Sequence, residues 1–327
     1  MEVVAICTVK ERDFSLKLQG LLAGQARLSE GHPLLPILAA KQSAVEAGIG
    51  GEERVAEVLR RSPIPFEHHV FHDLSPSSDE GFQMDTYVQT PWYGFILEVK
   101  NIAGMLEFRD NPPQLIRTRE DGQRDGFESP VAQLDRNCEL LRDWLAHHNI
   151  RLPIFGAVVL AYPKQIVTAA PAKTKILFPN SIPFMMKSIP QQTKKLDLET
   201  FTWLSDELLH SHRPYIPRPI SESYGVSGRA FRPGVRCFHC GRIGMIKLPR
   251  TWHCPFCLVN DRLAHEKNLL DWFLLMKRDI TNRECREFLG IEDIQVAKRV
   301  LQSMNWQTEG KFRYLKYLMD VSSFNKK

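Results

Sequence analysis

The sequence predicts an α/β core built on a mixed sheet, followed by a small cysteine-rich segment and a tail of helices. Three observations predict it. Residues 45 to 165 run helix, several strands, helix, strand, the order of a sheet with helices packed on it. Two CxxC pairs stand 13 residues apart, at Cys237, Cys240, Cys254 and Cys257. Beyond them, apolar residues recur at helical spacing almost to the end of the chain.

At 327 residues the chain exceeds one small domain and leads us to expect two or three compact units. A hydrophobic share of 43% with 25% charged residues excludes a disordered or fibrous chain. The longest strong apolar run, "LPIFGAVVLAYP", is strand-sized, so no membrane partner is expected. "MEVVAICTVKERDF" lacks the basic-then-apolar order of a secretory signal, and a cytoplasmic location is expected. Charge is unevenly placed. Residues 1–216 carry 23 Lys and Arg against 27 Asp and Glu, while residues 217–327 carry 20 against 11. That division suggests a polyanion-binding module joined to something else.

The elements follow in order. Residues 1–44 read as an N-terminal helical arm, with "HPLLPILAAKQSAVEAG" leading into a helix. "GEERVAEVLRRS" then places Val55, Val58 and Leu59 at helical spacing, with Gly51 and Glu52 opening the helix. "HHVFHDL", "QMDTYVQT" and "GFILEVKN" alternate as strands, with "PPQLIRTRE" as a hairpin arm and "DGQRDGFESP" as a loop. In "VAQLDRNCELLRDWLAHHN", Val131, Leu134, Leu140, Leu141, Trp144 and Leu145 share one helix face, and "LPIFGAVVLAYP" is a buried strand. Residues 166–216 add accessory strands, "KTKILFP" and "PFMMKSI", and the helix "DLETFTWLSDELLHSH". Residues 217–235, rich in Pro, Gly, Ser and Arg, read as a linker.

Within "FQMDTYVQTPWYGFILEVKN" stand Asp85, Glu98 and Lys100. A period of two puts Glu98 and Lys100 on one strand face, in surroundings too apolar for unpaired charge. Two carboxylates offer hard oxygen ligands to Mg²⁺ or Mn²⁺. A lysine on the same face can position a water for attack on a phosphodiester. A surface ion pair is the bland alternative for Glu98 and Lys100, and the apolar strand weighs against it. His68, His69 and His72 are read as partly exposed strand residues rather than ligands.

Three stretches, "GIGGEERVAEVL", "MDTYVQTPWYGFILEVKNIAG" and "FESPVAQLDRNCELL", together resemble the nuclease-related domain (NERD) of the PD-(D/E)XK nuclease superfamily. The resemblance covers roughly residues 45–165 and implies a restriction-endonuclease-like core that hydrolyses nucleic acid, DNA favoured over RNA. It implies Asp85 and Glu98 as metal carboxylates and Lys100 as the catalytic lysine. It also implies Glu52 as the helix acid, with Glu53 its neighbour, and Gln133 as the polar residue of the following helix. Ser129 stands where the family usually has Asn. The rival class is a non-catalytic nucleic-acid-binding or regulatory protein that retains the nuclease fold.

In "CFHCGRIGMIKLPRTWHCPFC" each CxxC turn supplies two thiolates, and two turns complete a tetrahedral Cys₄ site, as in a zinc ribbon over residues 236–260. With no open position the Zn²⁺ would be structural. Residues 261–327 read as an all-α helix-turn-helix tail, or a winged form of it once "KFRYLKYL" is counted. Its second helix would offer Gln295, Lys298, Arg299 and Gln302 to nucleic acid. Arg286 departs from the pattern, standing four residues before Gly290 where such motifs pack an alanine, so self-association is the tail's alternative role.

Overall fold

The structure is a computed structural model and describes residues 7–62, 64–76 and 82–320. The side chain of Cys7 lies outside the described residues. In chain order the first elements are β1 (Cys7–Lys10), α1 (Leu16–Arg27) and α2 (Leu34–Arg61). Strands β2 (His69–Leu74), β3 (Met84–Gln89), β4 (Gly94–Lys100), β5 (Met105–Asp110), β6 (Pro113–Thr118) and β7 (Arg124–Glu128) follow. Next come α3 (Pro130–His147), β8 (Ile154–Leu160), β9 (Ile166–Ala169), β10 (Lys175–Leu177), α4 (Ile182–Ser188) and α5 (Leu198–Ser211).

The chain divides into two compact units, one of residues 1–13 and 46–215, the other of residues 14–45 and 216–327. The division falls inside α2. The arm expected over residues 1–44 is therefore shared. β1 joins the sheet of the first unit, and α1 belongs to the second.

The first unit is built on a six-stranded mixed sheet ordered β1-β2-β3-β4-β8-β10. β3 runs antiparallel to β2 and β4, while β8 runs parallel to β4 and β10. Both faces are covered. Phe95, Leu97 and Val99 pack with Val55 and Leu59 of α2. Ile96 and Val158 pack with Leu134, Leu141 and Trp144 of α3 and with Phe201 and Leu204 of α5. Alternate residues of β4 thus enter different cores, as a period of two requires. A second sheet, β7-β6-β5-β9, includes residues expected to be a loop. "RDGFE" pairs with β6 because Arg117 clasps Asp125 at 2.6 Å across the strands.

Three further expectations are corrected. Gly51 and Glu52 do not open a helix; they lie within α2, which continues through the glycines. "PFMMKSI" forms α4, started by Pro183 in its first turn, and Ile182 and Met186 pack under the sheet. His68 and His72 are only 1% and 3% exposed, and His68 precedes the strand. The ring of His72 meets Thr86 Oγ1 at 3.1 Å, and burial lowers its pKa to about 4.

The second unit contains α1, α6 (Ile220–Tyr224), a sheet of β11 (Val235–Arg236), β12 (Ile243–Leu248), β13 (Thr251–His253) and β14 (Asn260–Asp261), and the tail. The tail comprises α7 (Ala264–Leu275), β15 (Asp279–Thr281), α8 (Asn282–Leu289), α9 (Ile294–Ser303), β16 (Thr308–Glu309) and β17 (Lys316–Leu318). It is not all-α, since β15, β17 and β16 pair antiparallel into a sheet. Nor is the cysteine segment a separate body. Trp252 and Cys254 share one core with Leu269, Phe273, Cys285 and Trp306. The linker is partly structured too, with Ile220 and Phe231 buried against Leu21, Leu38 and Leu275. At the α8–α9 turn Gly290 takes φ +70°, a left-handed helix cap. Cys285, rather than the residue at 286, fills the core beneath it.

Candidate functional site

The active-site candidates meet where β3, β4 and α3 converge. Thr86 pairs with Leu97, so Asp85 and Glu98 face each other one residue further along the antiparallel ladder. Asp85 Oδ2 accepts a hydrogen bond from the Val99 backbone N–H at 2.7 Å, which fixes its carboxylate against β4. Glu98 is wholly buried. Its Oε1 accepts from Lys100 Nζ at 2.6 Å, while its Oε2 is buried with no hydrogen-bond partner among the described residues. Lys100 Nζ also donates to Gln133 Oε1 at 3.1 Å. Gln133 is placed there by the start of α3, where Ser129 Oγ caps the backbone N–H of Ala132.

Burial raises the pKa of Asp85, against the opposing pull of Lys100. Burial, reinforced by the negative charge of Asp85, raises Glu98 to about 8. Two close carboxylates in a dry site resist losing both protons, and a divalent cation between them would remove that resistance. The unpartnered Oε2 gives such a cation a ready ligand. The donor set therefore fits a hard cation held by two carboxylates, with water or substrate oxygens completing the shell.

Glu52 reaches the same end of the sheet by a different route. A Cβ on Gly51 would lie 2.9 Å from Asn101 Cβ and 3.2 Å from Ala161 Cβ, so only glycine lets α2 approach the end of β4 this closely. Asn101 Nδ2 donates to the Ala47 carbonyl at 2.8 Å and ties the two together. Glu52 Oε2 is ion-paired with Arg12, whereas Glu53 is exposed. Sequence reasoning missed Arg12, which lies in the segment read as an arm. Its neighbours anchor it. Lys10 Nζ donates to the His72 carbonyl at 3.0 Å, and Asp13 Oδ2 lies 2.6 Å from His212 Nε2. Burial lowers the pKa of Arg12, and the nearby charges of Asp73 and Asp85 oppose the shift. Nothing local in "KERDF" could have flagged it.

The second centre joins all four predicted cysteines. Their sulfurs lie within 4.8 Å of one another, with Cys237 and Cys257 at 3.6 Å and Cys240 and Cys254 also at 3.6 Å. A tetrahedron with metal–sulfur bonds of about 2.3 Å has edges of about 3.8 Å, so the cluster is close to the size a metal ion demands. Two like turns build it. Gly241 N–H donates to the Cys237 carbonyl and Leu258 N–H to the Cys254 carbonyl. Cys138 and Cys285 are buried elsewhere, with thiol pKa values raised by burial to about 11 and about 12.

In the tail, Gln295, Lys298, Arg299 and Gln302 are all exposed on α9. They occupy one face, because Ala297, Val300 and Leu301 turn inward. Among the described residues no helix is long and apolar enough to cross a membrane.

The sheet flanked by helices thus carries two acids on adjoining strands with a lysine beside them. The family model for the nuclease-related domain matches residues 47–161, a segment that holds Glu52, Asp85, Glu98, Lys100 and Gln133. No curated protein and no solved structure matches the chain.

Proposed function

We propose that the protein is a divalent-metal-dependent nuclease of the PD-(D/E)XK superfamily, with a restriction-endonuclease-like core that hydrolyses phosphodiester bonds in nucleic acid, DNA favoured. The observation that carries this reading is the buried Glu98 carboxylate, with one oxygen bound by Lys100 and the other unpartnered beside Asp85. Asp85 and Glu98 would hold Mg²⁺ or Mn²⁺, which supplies Lewis acidity toward the phosphate and acidifies bound water. Lys100 Nζ has three donors. Glu98 and Gln133 take two of them, and the third remains for the attacking water or a phosphate oxygen. Gln133 holds the ammonium on line. Glu52, restrained by Arg12, adds negative charge at the helix side of the site.

The second unit is read as the substrate-binding part. Cys237, Cys240, Cys254 and Cys257 would hold one structural Zn²⁺ as a ribbon. The order helix, strand, helix, turn, helix and two strands from α7 to β17 supports a winged helix-turn-helix, with α9 presenting Gln295, Lys298, Arg299 and Gln302 to DNA.

Incubation with plasmid, linear and single-stranded substrates, with and without Mn²⁺, tests the proposal. Cleavage should need the metal and collapse in Asp85→Ala and Glu98→Ala. Lys100→Ala should lose about 10²- to 10⁴-fold while still binding the metal. Undiminished cleavage in all three variants, or a wild-type chain that binds nucleic acid and never cuts it, would exclude the enzyme.

A further inference from the structure

A cavity of about 620 Å³ lies in the second unit, between the β12–β13 hairpin and α9. Lys247, Arg250, Arg262 and Arg299 stand around it, and Leu248 and Val296 give it apolar wall. Among the described residues no carboxylate lines it. Among the described residues none of these four cations is ion-paired with an acid. Lys247 Nζ spends two of its three donors on the backbone carbonyls of Leu248 and Thr251, at 2.7 and 3.3 Å, and keeps one. Asp293 offsets part of the charge of Arg299; the remaining like charges repel one another, and an anion in their midst relieves that repulsion.

The floor is rigid. Trp252 Nε1 donates to His265 Nδ1 at 3.3 Å, and His265 Nε2 lies 3.4 Å from Ser303 Oγ. With Nδ1 accepting, the ring is the neutral tautomer carrying its proton on Nε2. Burial, together with the charge of Lys247, lowers its pKa. β13, α7 and α9 are thereby joined under the cavity by a chain of hydrogen bonds, so its cations sit on a fixed scaffold. A volume in the range of small-molecule sites, with apolar wall and converging cations, suits a ligand with a flat apolar body and an anionic end.

We propose that this cavity binds a nucleotide, its phosphate held by Lys247, Arg250, Arg262 and Arg299 and its base lying against Leu248, Pro249 and Val296. The nucleotide belongs either to a single strand or to the free pool, since both carry the same chemistry. The inference deepens the reading of the second unit as the nucleic-acid-binding part and makes no use of the site on β3 and β4.

The test uses the full chain carrying Asp85→Ala, without added Mg²⁺ or Mn²⁺, so that cleavage plays no part in the readout. Fluorescence anisotropy with a short labelled single strand, a labelled duplex and AMP as competitor is compared with the same chain bearing Arg250→Ala and Arg262→Ala. Affinity for the single strand should fall about tenfold or more, and its log–log salt slope should shrink by up to about 0.7, the value for one lost phosphate contact. Duplex binding on the exposed α9 face should fall less. Competition by AMP, lost in the variant, identifies a free-nucleotide site; loss of strand binding without competition identifies a strand site. Lys247→Gln, which leaves both arginines in place, should weaken the same ligand. Retained zinc and an unchanged circular dichroism spectrum show that the variants fold. Unchanged affinity for both strand and AMP in these folded variants would overturn the proposal. If duplex binding persisted there, the winged-helix reading would stand without the cavity.

Discussion

Arg12 and Glu52, 40 residues apart in sequence, form an ion pair in the first unit. The segment just after β1 and the helix α2 deliver the two side chains, and both are only partly exposed. Arg12 thereby joins Glu52 to the field of Asp85, on which its positive charge also acts.

Arg12→Ala should release Glu52 and weaken metal-dependent cleavage about 10- to 100-fold, the usual effect of losing an outer partner in a metal site. Arg12→Lys should recover part of the activity, as a point charge replaces a planar fork. On the proposed function Arg12 is a positioning residue, so metal titration by calorimetry should report a weaker apparent affinity alongside the slower rate. Unaltered affinity in Arg12→Ala would place Glu52 outside the metal's influence.

Glu98 carries a pH dependence with a definite sign. Its folded pKa of about 8 lies above the ordinary 4.5, so the folded protein holds a proton that the unfolded chain releases. That contribution is fully present below about pH 4.5 and is lost as pH rises through about 8. Without added divalent ion, thermal stability should therefore fall between those values, and Glu98→Gln should flatten the decline. Metal must displace the same proton, so Mn²⁺ affinity should rise by up to about tenfold per pH unit below about 8. Calorimetric titration across that range checks it.

Metal analysis should find one zinc per chain, lost in Cys237→Ser with Cys254→Ser. Since Trp252 and Cys254 belong to the core that also holds Phe273 and Trp306, losing the metal should loosen the helical tail as well as the hairpins. Near-ultraviolet circular dichroism would report this through the tryptophans. Cys138→Ser and Cys285→Ser should leave zinc content unchanged.

Arg27 is fully buried and meets Asp271 at 2.9 Å. It also donates to the carbonyls of Arg232 and Gly234 at 3.0 Å and lies over the Phe288 ring at 4.4 Å. Arg236 Nη2 stays 3.5 Å from Asp271 Oδ1, so removing Arg27 leaves that carboxylate one weaker partner. The cost falls toward the low end of the about 3–5 kcal/mol of a broken buried pair. Arg27→Ala should thus destabilise the second unit while leaving metal binding by the first intact. Chemical unfolding followed by tryptophan fluorescence tests it.

Much of the candidate site is legible in the amino-acid sequence, and the reasons are local. Glu98 and Lys100 share a face because side chains in a strand alternate, and Lys100 does reach Glu98 at 2.6 Å. The face of α3 is legible from the spacing of Leu134, Leu141 and Trp144. A strand reading of "PFMMKSI" fails because a short apolar run suits a buried strand and a buried helix equally. A loop reading of "RDGFE" fails because Asp and Gly suggest a turn, whereas its pairing depends on Arg117 in the neighbouring strand.

What the sequence by itself determined is whatever a fixed spacing can encode. The alternation of β4, the inward and outward faces of α9 and the paired cysteine turns all follow from backbone geometry repeated over a few residues. Only the tertiary structure decided which distant segments meet. It brought Arg12 to Glu52, grouped residues 14–45 with the C-terminal unit through the burial of Arg27 against Asp271, and gathered Lys247, Arg250, Arg262 and Arg299 around one cavity. Such meetings are set by how whole apolar faces pack and by which buried charges must find partners, and no local period in the chain carries that information.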